Sequence, residues 1–135
     1  MDKKKGVILL AVVLINVIAT ILIYPYFYPA DIKELDIYLK VSNYTGFNVD
    51  TSAVFFGAVA RDGKASRDII VANEDAKSHS VNIKIEGILK DWIIVSDNKF
   101  NLNPLQNKTV KLIVNVPSDA GYGNYTGKVR IIFKQ

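Results

Sequence analysis

Few side chains in this chain could do chemistry, and their spacing argues against most of it. His79 is the only histidine and there is no cysteine. A zinc site needs three or four nitrogen, sulfur or carboxylate ligands, and a general base needs a partner that orients it. His79 stands between Ser78 and Ser80 at the head of an alternating segment, with no second histidine to join it. The carboxylates Asp62, Asp68, Glu74, Asp75, Asp91, Asp97 and Asp119 fall mostly in turn-like stretches. There an aspartate commonly hydrogen-bonds its own backbone. A glycosidase requires two carboxylates facing one sugar, and no spacing here selects such a pair. Glu74-Asp75 lacks the alternating oxygen ligands of a calcium loop, and Gly121-Tyr122-Gly123 lacks the lysine and following helix of a phosphate cradle. The expectation is a protein without catalytic residues, metal or cofactor.

The remaining chemistry concerns modification and recognition. Three N-x-[ST] sequons occur, at Asn43, Asn107 and Asn124, each at a loop or strand entry where a glycan could be solvated. Turn asparagine and strand threonine account for the same residues equally simply. Tyr44, Tyr122 and Asn98 lie in loops that could form an exposed recognition surface, and Tyr125 is placed to hydrogen-bond back to the preceding loop.

What must position these residues begins with an apolar stretch near the N-terminus. From Val7 to Ile23 there is no charge, and only Asn16 and Thr20 are polar. Seventeen helical residues reach roughly 26 Å, close to the hydrocarbon thickness of a bilayer. Tyr24, Tyr26, Phe27 and Tyr28 follow as an interfacial aromatic belt, and Pro25 and Pro29 are expected to stop the helix. Lys3, Lys4 and Lys5 precede the span, whereas Asp31, Lys33, Glu34 and Asp36 after it nearly cancel. The lysine excess points to a cytoplasmic N-terminus and an extracytoplasmic remainder. The divisions that follow are a basic tip (residues 1–5), a transmembrane helix (6–28), a linker (29–34) and one domain (35–135).

A core helix would show a polar face, which this stretch lacks. A cleaved secretory peptide would end in a small-x-small site instead of Tyr-Pro-Tyr-Phe-Tyr-Pro-Ala. Lys4-Lys5-Gly6 before the apolar run resembles the processing site of archaeal pilins and archaellins. Ala11, however, stands where such subunits usually carry an acidic or amide side chain.

Beyond the anchor the dominant signal is alternation. Leu35, Ile37, Leu39 and Val41 share one face, as do Val81, Ile83 and Ile85, then Val110, Leu112, Val114 and Val116, then Val129, Ile131 and Phe133. Ala53 to Ala60 reads as a buried strand bulged at Gly57, and Asp62-Gly63 as the tight turn of a hairpin. Phe47-Asn48-Val49 is at most a short strand, and no helix is evident after the anchor. Seven or eight short strands need two packed sheets or a barrel, and Trp92 is large enough to centre a sandwich core. The net charge of +4 includes the three tip lysines, so the rest is nearly balanced, with no basic stripe for nucleic acid.

The segments Arg67-x-Ile69-x-Val71-x-Asn73, Trp92-Ile93-x-Val95-Ser96, Thr109-Val110-x-Leu112-x-Val114-x-Val116-Pro117 and Gly123-x-Tyr125-x-Gly127-x-Val129 resemble the immunoglobulin-like sandwiches of archaeal and bacterial envelope proteins. The resemblance implies an all-β, antiparallel sandwich behind one transmembrane helix. It also implies a tethering, adhesion or assembly role at an archaeal cell surface, with an envelope or membrane protein as partner. A pilin-like or archaellum-associated filament subunit processed after Gly6, and an accessory of a surface carbohydrate-active enzyme, stay open as alternatives.

Overall fold

The computed structural model describes residues 2–27, 29–43 and 53–135. Tyr44 and the Phe47–Val49 segment lie outside them. Helix α1 (Lys3–Phe27) is apolar on every side, and none of its spanning window is buried. The two polar side chains of its uncharged stretch from Val7 to Ile23 are satisfied internally. Asn16 Nδ2 donates to the Val12 carbonyl and Thr20 Oγ1 to the Asn16 carbonyl, each at 2.8 Å. That is the arrangement a solvent without hydrogen-bond partners demands. Pro25 does not stop the helix, which runs on to Phe27. A proline near a helix end removes one amide donor without breaking the turns before it, and spanning helices tolerate it.

The strands are β1 (Asp31–Val41), β2 (Val54–Val59), β3 (Lys64–Ala72), β4 (His79–Gly87), β5 (Ile93–Val95), β6 (Phe100–Leu102), β7 (Asn107–Asn115) and β8 (Gly123–Lys134). They form a five-stranded sheet, β2-β1-β8-β4-β6, and a three-stranded sheet, β3-β7-β5. The core lies between the two: Ile37, Phe56, Val81, Ile83 and Val129 from the first meet Val71, Val110, Leu112 and Val114 from the second. The inward residues are those the alternation assigns.

The expected linker over 29–34 is mostly strand. β1 starts at Asp31 and pairs with β8 without interruption from Asp31↔Phe133 to Val41↔Gly123. Asp31, Lys33 and Glu34 have the composition of a solvated linker, yet they belong to a paired strand: Glu34 lies on the outer face, and Asp31 and Lys33 continue the inner face past the edge of the core.

The sheets are also not purely antiparallel, because β2 runs parallel to β1. The ladder slips between Tyr38↔Phe55 and Leu39↔Gly57, so Phe56 is the extra residue and Gly57, at φ 77°, follows it. The bulge expected at Gly57 is therefore present; Phe56 faces the core with Val54, at 1% exposure, and the shifted register after it brings Val59 opposite Val41, both buried.

Asp62-Gly63 does not close a hairpin. It carries the chain from β2 in one sheet to β3 in the other, since the two strands never pair. The Arg67 guanidinium on β3 reaches across and donates from Nε to the Phe55 carbonyl at 2.7 Å. A short 3₁₀ turn (Ile88–Asp91) follows β4, contrary to the expectation of no further helix, and drops Leu89 into the core. It packs on Gly127, where a Cβ would sit 2.8 Å from the Glu86 carbonyl oxygen. That close approach is therefore made within one sheet, β8 against β4. Trp92 does not centre the core. It is half-buried beside it, with its ring 4.8 Å from that of Tyr125.

Candidate functional site

Strand direction gives the domain two distinct ends. β1 follows α1 from Asp31, β8 returns antiparallel to it, β4 runs antiparallel to β8 and β6 antiparallel to β4. The start of β1, the start of β4 at His79 and the end of β6 at Leu102 therefore lie together, with the connections 73–78 and 103–106 beyond them. Only three residues separate Phe27 from Asp31. At about 3.3–3.6 Å per residue, this end cannot stand more than roughly 14 Å from the end of α1.

Asn73 organises the end of the domain where β1 starts. It is 3% exposed, and its Nδ2 donates toward the carbonyls of Lys77, Leu102 and Asn103 at 2.7, 3.2 and 3.0 Å. Its Oδ1 accepts from the Asp75 amide at 3.1 Å, and its own amide donates to the Gln106 carbonyl. One buried carboxamide thus fixes both connections to the sheet end. Beside it the buried His79 ring hydrogen-bonds Asp75 through Nε2 at 2.9 Å and stands edge-on to Phe133. The His79 hydrogen bond, followed by that from the Ala76 amide, holds the Asp75 carboxyl below its ordinary range.

Lys33 pairs with Glu74 at 3.4 Å and lies over the Phe133 ring. These residues line a shallow recess of about 290 Å³. His79 Nδ1 has no hydrogen-bond partner among the described residues, so no hydroxyl is bonded to it as an activated nucleophile. Nor do three or more His, Asp or Glu side chains converge as metal ligands among those residues.

The outer face of the larger sheet carries a charged ladder. Glu34 accepts from Arg130 at 2.9 Å and from Lys128 at 3.3 Å, while Arg130 also reaches Glu86 at 2.9 Å. The Arg130 hydrogen bond first, then that of Lys128, lowers the Glu34 carboxyl below its usual range. Further from the start of β1 this face becomes apolar. Tyr38 and Phe55 stack at 5.0 Å and line an open groove of about 500 Å³ with Lys40, Gly57, Asn124 and Thr126.

The expected surface residues are dispersed. Asn43 is exposed just past β1, Asn124 is exposed on β8 at the end away from Asp31, and Asn107 is exposed at the start of β7, at the same end as Asn73. Tyr122 is 61% exposed, with the Arg61 guanidinium 4.0 Å from its ring centre. Asn98 is exposed and its carboxamide is also engaged within the domain: Oδ1 accepts from the Ile83 amide at 2.7 Å and Nδ2 donates to the Ile83 carbonyl at 2.8 Å. That clamp fastens the loop before β6 to β4. Tyr125 Oη donates to the Gly121 carbonyl at 2.8 Å, the loop-ward bond expected of it.

Sequence reasoning did not single out Asn73 or the Tyr38–Phe55 pair, because their partners lie far away in the chain. No protein-family model, curated protein or solved structure matches this chain.

Proposed function

We propose that this is a single-pass membrane protein whose α1 is anchored with its N-terminus in the cytoplasm. It displays one immunoglobulin-like sandwich outside the cell as a non-catalytic binding or assembly module of an archaeal surface. The observation that carries the reading is the contrast within one chain: a helix of mean hydropathy 3.0 with none of its spanning window buried stands beside a domain with a core of its own. An all-round apolar helix must be covered by lipid or by other helices. Lys3, Lys4 and Lys5 at its head favour the cytoplasmic side for the N-terminus. Association with an envelope or membrane protein is then a surface event, its effective concentration raised by the anchor. The Tyr38–Phe55 groove and the exposed Tyr122 are the surfaces best suited to it.

The test uses the absence of native cysteine. A Ser118→Cys variant of the full chain, in the β7–β8 loop at the end of the domain away from Asp31, reacts with a membrane-impermeant maleimide on intact cells. Reaction only after lysis contradicts the orientation. The filament-subunit reading is supported by the same uncovered helix, which a filament core would also cover. It requires a mature N-terminus at Val7, which intact-mass measurement decides.

A further inference from the structure

The turn Asn103–Gln106 closes with the Gln106 amide donating to the Asn103 carbonyl at 3.1 Å, and the Asn103 amide donates back to Gln106 Oε1 at 2.9 Å. Pro104 occupies its first central position, as such turns favour. The second central position has φ 58°, a conformation suited to glycine or asparagine, yet it is Leu105. Three non-glycine residues have positive φ among the described residues, and the other two, Asp62 and Lys99, are polar. Leu105 is 79% exposed, more than any other large hydrophobic in the described domain. A branched apolar side chain is thus held in an unfavourable backbone geometry, without burial to offset it, at the tip of a turn fixed by Asn73. Backbone strain of this kind is informative where it is observed.

The turn belongs to the end of the domain that follows the anchor. It extends from β6, three strand spacings from β1, so the end of β6 stands roughly 14 Å to the side of the start of β1. On the outer face of the larger sheet, the row nearest that end holds Ser80 and Lys134, the next holds the exposed Ile32 with Ile132 and Asn82, and the charged ladder of Glu34, Arg130 and Glu86 begins one row further out. We infer that this end of the domain rests on the lipid surface, with Leu105 inserted among the headgroups as a second contact beside α1. The inference rests on the anchored reading proposed above, and the short tether between Phe27 and Asp31 makes the surface its nearest occupant.

The test uses the full chain in phosphatidylcholine vesicles containing a lipid with a headgroup-level nitroxide. Leu105→Cys, Ser118→Cys and Val13→Cys each carry one environment-sensitive fluorophore. Severalfold stronger quenching at Leu105 than at Ser118, with Val13 also in lipid, is the expected result. Quenching at Leu105 equal to that at Ser118, while Val13 reports lipid, overturns the docking and leaves the anchor standing. A Val13 probe that reports water removes both. Leu105→Gly supplies an independent arm, since glycine suits the backbone there and the fold should melt no lower. Loss of Leu105 should then lower the anisotropy of a Ser118→Cys probe, because the domain swings more freely. Unchanged anisotropy contradicts the contact.

Discussion

Helix α1 and the two-sheet domain treat exposed apolar surface in opposite ways. Val13 on the helix is 52% exposed and Ile94 on β5 is 57% exposed, so by area alone they are equivalent. Around Ile94 the pattern alternates: its neighbour Ile93 is buried, and the exposed isoleucine is one of the scattered apolar residues any soluble surface carries. Around Val13 nothing alternates, and residues from Val7 through Ile23 are almost uniformly exposed. The lesson is that periodicity, not exposure, reveals the solvent a segment is built for.

Substitutions can break that comparison. The largest effect is expected in the core, where Phe56→Ala removes a ring that is 1% exposed. It should cost about 3–5 kcal/mol of domain stability, measured by denaturant unfolding. A loss below about 1 kcal/mol would mean that this ring does not fill a packed site. Next, Val13→Arg should reduce membrane insertion by about 2.5–3.5 kcal/mol, read as the inserted fraction in a translocation assay. Ile94→Arg should change domain stability by no more than about 0.5 kcal/mol. Equal responses from these two positions would erase the distinction.

Asn73→Ala, which leaves several carbonyls at the anchor-side end short of a donor, should cost about 1–3 kcal/mol. It should also raise hydrogen exchange in the two connections it holds, with little change at the opposite end. The smallest effect is electrostatic. The Glu34 and Asp75 carboxyls both lie below their ordinary values of 4.5 and 3.8 in the folded domain. Each therefore stabilises the fold above its unfolded value and loses that contribution as pH falls through its folded value. Glu34→Gln should flatten the decline in melting temperature below pH 4.5. An identical acid limb in wild type and variant would show that the Arg130 and Lys128 contacts contribute nothing. Both carboxylates are exposed, so the effect is modest.

How much of this could be read beforehand follows from what is local. Alternation at Ile37, Leu39 and Val41, or at Val110, Leu112 and Val114, is written in adjacent residues, and the inner faces follow from it. The bulge at Gly57 and the bond from Tyr125 to the preceding loop are likewise local, residing in one glycine and one four-residue separation. Strand partnership is not local. Nothing in Val54–Val59 says that it pairs parallel to β1, or that Asp62-Gly63 switches sheets instead of closing a hairpin. Trp92 misled through its size, since a large ring at a domain's end can pack on Tyr125 as well as a central one can fill a core. The anchor-side end was least legible, because Asn73 acquires its role only when residues 77, 102 and 103 are brought to it. Leu105 carried a readable signal all the same: a leucine behind Asn-Pro, where the turn favours glycine.

The central claim is that one chain holds a helix made for lipid and a domain made for water. Alkaline carbonate extraction of membranes bearing the full chain, followed by flotation, tests it most directly. The account predicts that the protein floats with the lipid and that Ser118→Cys in the floated fraction still reacts with an aqueous maleimide. Recovery of the wild-type chain in the carbonate supernatant, folded and free of lipid, would contradict it.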